Sequence, residues 1–260
     1  MSDALVIIPT YNEIDNIERI IRNVFSFKKQ FHILIVDDNS PDGTAAKVKS
    51  LQHEFPELLF LEERKGKLGL GTAYIHGFKW ALQRTYQYIF EMDADFSHNP
   101  NDLIRLHKAC HKEGYDIAIG SRYITGVNVV NWPMSRVLLS WLASRYVRLV
   151  TGMNIQDTTA GFVCYQRRVL EAIRLDKIRF IGYAFQIEMK YKAHRRQFSI
   201  KEVPVIFTDR TRGTSKMSKS IISEAIFGVL RMKIGSWFAK KPSQEPVFRP
   251  QEMATQEHDI

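Results

Sequence analysis

Apolar runs and polar breaks along the first half of this chain follow a strand-then-helix rhythm. Ala4 to Ile8 is a compact apolar run that stops at Pro9-Thr10-Tyr11-Asn12-Glu13, and it predicts a strand. Ile17, Ile20, Ile21 and Val24 follow at helical spacing, with Asp15 and Asn16 as its candidate caps. His32 to Val36 predicts a second strand, closed by the turn signal Asp37-Asp38-Asn39-Ser40-Pro41-Asp42-Gly43. Thr44 to about His53 then predicts a helix, Leu58 to Leu61 a third strand, and the segment after loop 63–72 a helix to about Gln83. Tyr88, Ile89, Phe90 and Met92 predict a fourth strand that runs into Asp93-Ala94-Asp95. A helix over about 102–112 and a fifth strand over Tyr115–Ile119 complete the pattern.

This alternation implies an α/β fold, with a mostly parallel sheet and helices on both faces. The first, second and fourth strands end in acidic or Asn-rich loops that can share one rim. In open α/β sheets that rim, at the carboxyl ends of the strands, is where ligands bind.

Past Arg122 the pattern changes. Pro133 to Thr151 predicts a helix with a narrow polar stripe (Arg136, Ser140, Ser144, Arg148) and a wide apolar face that includes Val137, Leu138, Trp141 and Leu149. Residues 221–238 repeat the theme. Helices of this kind either pack on the core or lie in a membrane interface, and both readings stand. Between them, Gly161–Tyr165 predicts another apolar strand and Phe185–Arg195 another helix. The expected division is a domain over 1–216, an amphipathic helix over 217–241, and a polar, Pro-containing disordered tail over 242–260.

Charge sharpens this division. The net charge is +9, yet residues 121–156 hold four Arg and no acid, and residues 208–241 carry a net +6. The positive charge therefore belongs to the second half. Two cysteines, Cys110 and Cys164, are too few for a disulfide framework or a Cys-rich zinc site. The start has no basic n-region or long apolar stretch, and no run of roughly 20 apolar residues is present. A cytoplasmic setting is expected.

Asp93 and Asp95 hold the main candidate chemistry. Two carboxylates at i and i+2, where a strand gives way to a loop, can converge on one hard cation that keeps positions open for phosphate oxygens. The Gly69-Leu70-Gly71 loop is no dinucleotide fingerprint, because Tyr74 stands where a third glycine is needed, and no P-loop run exists.

Taken in order, Pro9-Thr-Tyr-Asn-Glu13, Asp37-Asp38-x-Ser-Pro-Asp-Gly43, Asp93-Ala-Asp95 and Gly120-Ser-Arg-Tyr123 resemble the inverting glycosyltransferases of family 2. The stretches Leu68 to Gly77 and Gly182 to Glu188, with Asp209-Arg210 and Lys216, are similar to the dolichyl-phosphate (polyprenyl-phosphate) mannose synthases within it. The resemblance spans about residues 5–216 and implies a GT-A-like, Rossmann-related domain. It implies mannose transfer from GDP-mannose to a dolichyl or polyprenyl phosphate, with inversion and with Mg²⁺ or Mn²⁺ as cofactor.

Carried over by position, the resemblance puts Pro9, Tyr11, Glu13, Val36 and Asp38 around the nucleoside, and Asp93 and Ala94 at the ribose and diphosphate. It makes Asp95 the metal ligand with Asp93 nearby. Arg122, Arg210 and Lys216 match positions that contact the diphosphate or the acceptor phosphate, and Gln186 and Glu188 line the site. Asp157, ahead of Thr158-Thr-Ala-Gly-Phe162, is the candidate base if one exists, although a phosphate acceptor needs little deprotonation. Val163 departs from the pattern, since many relatives carry a basic residue after Gly-Phe. The lipid acceptor implies peripheral contact with the cytosolic face of a membrane through the basic, apolar helices. Two rivals stand beside this reading: the same chemistry with another donor such as UDP-glucose, and a non-catalytic protein whose basic half binds membrane or nucleic acid.

Overall fold

The computed structural model describes residues 2–182, 184–209 and 227–235. Strand β1 (Ala4–Thr10) is an inner strand, third from one edge, of a seven-stranded sheet. Beside it run β2 (His32–Asp37) and β3 (Leu59–Glu63) on one side, and β4 (Tyr88–Glu91), β7 (Val163–Gln166), β5 (Ile117–Ser121) and β8 (Ile200–Pro204) on the other. A two-stranded ribbon, β6 (Val129–Val130) with β9 (Phe207–Thr208), stands apart. Between strands run α1 (Ile14–Phe25), α2 (Thr44–Glu54), α3 (Leu70–Leu82), α4 (Asp102–His111), α5 (Met134–Thr151), α6 (Arg167–Ala172) and α7 (Ala184–Arg195). Residues 227–235 form a further helix, α8.

Two apolar layers sandwich the sheet, because successive side chains on a strand point to opposite faces. Leu5, Ile7, Leu34 and Val36 pack with Tyr74 and Phe78 of α3 and Phe185 and Met189 of α7. Val6, Ile8, Ile33 and Ile35 pack with Ile17, Ile20 and Val24 of α1, Val48 of α2 and Leu103 and Leu106 of α4. Helix α3 crosses β1 closely at Gly77, where a Cβ would stand 2.7 Å from Ile7 Cγ2.

The mostly parallel α/β sheet expected from the sequence is present, and three details differ. Strand β7 is antiparallel to both neighbours, with Val163 beside Glu91. Its start, not its end, therefore meets the rim on which β1, β2 and β4 finish. The fifth strand begins at Ile117 and runs to Ser121, two residues later than expected. Helix α1 begins at Ile14, so Asp15 and Asn16 lie inside its first turn and do not cap it. The Ile14 N–H is taken instead by Asp42 of the next loop, at 3.1 Å, a partner no local pattern in residues 12–16 announces.

Of the expected C-terminal helix over 221–238, the described part is 227–235; Arg210, Lys216 and the tail lie outside the described residues. Helix α5 buries Ser144, Val147 and Thr151 but leaves Met134, Leu138, Leu142 and Leu149 exposed. One face of that helix therefore packs on the core, and the other is exposed. No helix among the described residues is long and apolar enough to cross a membrane.

Candidate active site

The rim at the ends of β1 and β2 is built as a bracket. Asp37, fully buried, takes hydrogen bonds from Thr10 Oγ1 (2.8 Å), Ser40 Oγ (2.6 Å) and Ser40 N (2.8 Å). The loop it organises reaches back to the turn after β1: Asn12 N donates to Ser40 Oγ and Glu13 N to Thr44 Oγ1, each at 3.0 Å. Asp38 points elsewhere and pairs with Arg64, whose Nε lies 2.6 Å from Oδ1. Burial pushes the Asp38 carboxyl up, against the opposing pull of Arg64. Arg64 also donates to Thr72 Oγ1 at 2.8 Å and so ties this rim to the start of α3. Pro9 and Val36 are register partners here, and the Tyr11 ring lies under Lys67, 4.8 Å away.

The acidic turn follows β4. Phe96 adopts φ 60°, a left-handed conformation that costs a bulky residue energy and is held by its surroundings. The turn lets Asp95 accept the Ser97 N–H at 3.0 Å. Asp93 accepts from the Tyr74 hydroxyl at 3.3 Å and donates its own N–H to His98 Nδ1, also at 3.3 Å. His98 stacks on Phe162, with ring centroids 4.9 Å apart, and burial pushes its pKa down to about 4. It is therefore a neutral imidazole near pH 7. That acceptor role assigns its proton to Nε2.

Asp93 and Asp95 open onto a cavity of about 430 Å³ that also has His98, Arg122 and Gln186 in its wall. Leu139, Leu142, Tyr146 and Val147 of α5 also line it, with Trp132, Phe207 and the ion pair of Arg136 and Asp209. The lining thus combines groups suited to a charged ligand and a cation with side chains suited to hydrocarbon.

Arg122 is among the charged groups of this lining. Its Nε donates to Asp157 Oδ2 at 2.7 Å, its Nη2 to Oδ1 at 2.6 Å and its backbone N to Oδ2 at 3.0 Å. Nη2 also reaches Thr159 Oγ1 at 2.8 Å, and the guanidinium lies over the rings of Trp132 and Phe207. Burial alone would raise the Asp157 carboxyl, but the charge and hydrogen bonds of Arg122 outweigh it and hold it below the usual range. A fully buried carboxylate in that state is an anchor for Arg122 and a poor base.

In the cavity wall, Gln186 bridges two buried ionisable side chains. Its Nε2 donates to Glu91 Oε2 at 2.7 Å, and its Oε1 accepts from Lys190 Nζ at 3.3 Å. Burial pushes Glu91 up and Lys190 down, each to about 8. Glu188 faces away from the cavity: its Oε2 accepts the N–H groups of Arg179 and Phe180 at 2.8 and 3.1 Å.

Of the residues expected at the site, the fold brings Asp93, Asp95, Arg122 and Gln186 to one cavity, with Asp157 directly behind Arg122. Pro9, Tyr11, Glu13, Val36 and Asp38 lie on the adjoining β1–β2 rim, and Ala94 lies buried between the two aspartates. His98, Thr159, Trp132 and Lys190 were not foreseen. None of the four carries a signal in the chain that sets it apart from an ordinary residue.

The carboxylates of Asp93 and Asp95 are hard oxygen donors of the kind Mg²⁺ and Mn²⁺ take. A second set of potential ligands, Asp3, His107 and His111, lies at the opposite end of the sheet and is unrelated to this cavity. Asp3 is paired there with Lys29 and lies 3.9 Å from His107 Nε2.

Comparison with known proteins adds a family and a fold. The profile of glycosyl transferase family 2 matches residues 5–174. A polyprenol monophosphomannose synthase from Mycolicibacterium smegmatis is 47% identical over 234 residues, 90% of this chain and 86% of the relative. An undecaprenyl-phosphate mannosyltransferase from Micrococcus luteus is 44% identical over 228 residues, 88% of this chain and 93% of that one. Among solved structures, glucosyl-3-phosphoglycerate synthase from Mycobacterium tuberculosis, in complex with Mn²⁺, UDP and glucosyl-3-phosphoglycerate, superposes with a TM-score of 0.65. The match has 15% identity and covers 89% of this chain and 80% of that one. A mannosyltransferase from Pyrobaculum calidifontis, in complex with GDP-Man and Mn²⁺, gives a TM-score of 0.55 at 17% identity, over 92% of this chain and 66% of that one. At these identities the two structures share the GT-A fold with this chain.

Proposed function

The chain belongs to glycosyl transferase family 2, and from that premise we propose that it transfers mannose from GDP-mannose to a polyprenyl or dolichyl phosphate, with inversion at the anomeric carbon. The observation that carries this reading is a single cavity lined both by carboxylates and Arg122 and by apolar side chains of α5. The two relatives are named for the same pair of chemistries, mannosyl transfer and a polyprenyl phosphate acceptor.

In the proposed reaction an oxygen of the acceptor phosphate attacks C1 of mannose. The bond from C1 to the diphosphate breaks, and GDP leaves with the electron pair. Asp93 and Asp95 would hold Mg²⁺ or Mn²⁺, which supplies positive charge against the diphosphate oxygens. Arg122, with Nε and Nη2 held by Asp157 and Thr159, would direct the positive charge of its Nη1 edge at phosphate, pre-oriented by that pair and by the rings around it. A phosphate monoester is already an anion near neutral pH, so the chemistry requires no base, and Asp157 serves to hold Arg122. Pro9, Tyr11, Glu13, Val36 and Asp38 are the proposed nucleoside contacts. Arg210 and Lys216 retain their proposed phosphate role outside the described residues.

The acceptor's chain must leave a membrane to be used. The exposed side chains of α5, including Met134 and Leu149, and Phe227 and Ile234 of α8 supply apolar contact, with Arg145 and Arg148 among them. Peripheral binding to an anionic leaflet follows from that combination.

A donor screen tests the reading. Purified protein with Mg²⁺ or Mn²⁺ and a short-chain polyprenyl phosphate is offered labelled GDP-mannose, UDP-glucose or UDP-N-acetylglucosamine. A lipid-extractable product from GDP-mannose alone is expected. Turnover of UDP-glucose in its place would discard the mannose assignment.

A further inference from the structure

Arg122 is placed only as well as the loop that carries Asp157. Between α5 and β7 the chain has no regular ladder, so its backbone N–H groups must find partners elsewhere. Two successive ones find the same side chain: Gln156 N donates to Glu202 Oε2 at 2.7 Å, and Asp157 N to Glu202 Oε1 at 2.9 Å. Glu202 stands on β8, in register with Ile119 of β5, three residues before Arg122. One carboxylate on the sheet thus spans the two segments that meet in the Arg122–Asp157 pair. Lys190 Nζ secures the far end of the loop through Ala160 O at 2.7 Å.

We infer that Glu202 is a positioning residue for the transfer reaction. By gripping the backbone at 156 and 157 it sets the Asp157 carboxylate, and through it the direction of the Arg122 guanidinium, while it lines no part of the cavity itself. A carboxylate fits this role because it presents two acceptor oxygens and no donor, and charge strengthens both bonds. A carboxamide would keep one acceptor and turn an NH₂ group against the second N–H. The kinetic consequence rests on the proposed transfer reaction; the geometric one does not.

The test uses Glu202→Gln in the full chain, with Arg122→Lys and the double variant. Displacing Arg122 by a fraction of an ångström predicts a kcat loss of about 10- to 100-fold. If Glu202 acts through Arg122, the double variant falls within about two-fold of Arg122→Lys alone, because coupled sites are not additive. Multiplied losses would overturn the inference. Glu202→Asp, which keeps both acceptor oxygens, should recover activity above Glu202→Gln and guards against a variant that simply fails to fold.

A second readout is independent of turnover. The Nε–H of Arg122, buried against Asp157, should give a slowly exchanging NMR signal, identified by its loss in Arg122→Lys. Faster exchange in Glu202→Gln supports the inference, and an unchanged signal overturns it. A wild-type protein with no transferase activity would sink the proposed reaction, and the NMR result would still decide the role of Glu202.

Discussion

Arg122 closes on Asp157 as a fork on a carboxylate, two side-chain bonds of 2.7 and 2.6 Å, at the point where β5 ends and the loop before β7 passes it. The carboxylate is fully buried and the guanidinium is exposed only where it faces the cavity, so Asp157 has no water to replace Arg122. Asp157→Asn removes one charge and leaves a guanidinium buried beside a neutral amide. Urea denaturation should show a loss of about 3–5 kcal/mol, the usual consequence of breaking a buried pair from one side. Transferase activity should fall with it. A variant as stable as the parent would show that the pair is more hydrated than its burial indicates.

Asp95→Ala removes a proposed metal ligand and the acceptor for one backbone N–H, that of Ser97. The structural cost is about 1 kcal/mol, the worth of one hydrogen bond. Calorimetric titration should show that Mg²⁺- or Mn²⁺-dependent binding of GDP disappears while the far-ultraviolet spectrum stays that of the parent. Metal-dependent binding retained at parental affinity would move the metal away from this turn.

His107 packs against Phe31, Tyr88 and Phe90, and burial, helped by Lys29, pushes its pKa down from 6.5 to about 4. The folded protein then binds fewer protons than the unfolded chain between these values. The stability this residue contributes is full above pH 6.5 and is lost as the pH falls toward 4. Allowing for partial solvent screening, the loss is about 1–2 kcal/mol. Denaturation midpoints across that window should drop for the parent and stay flatter for His107→Phe.

Leu149 is 87% exposed and Leu138 52%, and neither lines the cavity. Leu138→Glu with Leu149→Glu should abolish co-flotation with anionic liposomes at low salt, since both apolar contact and charge attraction are lost. Turnover of a short, water-soluble polyprenyl phosphate should remain within about two-fold of the parent, because the site's charged groups are untouched. Unchanged flotation would place the membrane contact elsewhere.

The sequence alone settled what depends on neighbours along the chain. The strand–helix rhythm, the parallel sheet and the acidic turn at Asp93 and Asp95 are local patterns, since alternation and helical spacing record which side of each element is buried. The motifs Pro9–Glu13, Asp37–Gly43 and Gly120–Tyr123 carried the family for the same reason: each is a short run whose loop conformation and chemistry are written in adjacent residues.

Tertiary structure decided what depends on residues distant in the chain. The direction of β7 was not legible, because a short apolar run reads alike in either orientation, and pairing Val163 with Glu91 is settled only by where the chain returns. The cap on α1 comes from Asp42, 28 residues away. Asp157, a plausible base as a lone loop aspartate, becomes an anchor because the fold places it against an arginine 35 residues before it. His98 and Lys190 are ordinary residues in the sequence, and burial beside particular carboxylates and carbonyls is what gives them roles. Ionisable groups take their character from desolvation and from opposing charge, and both are properties of the assembled fold.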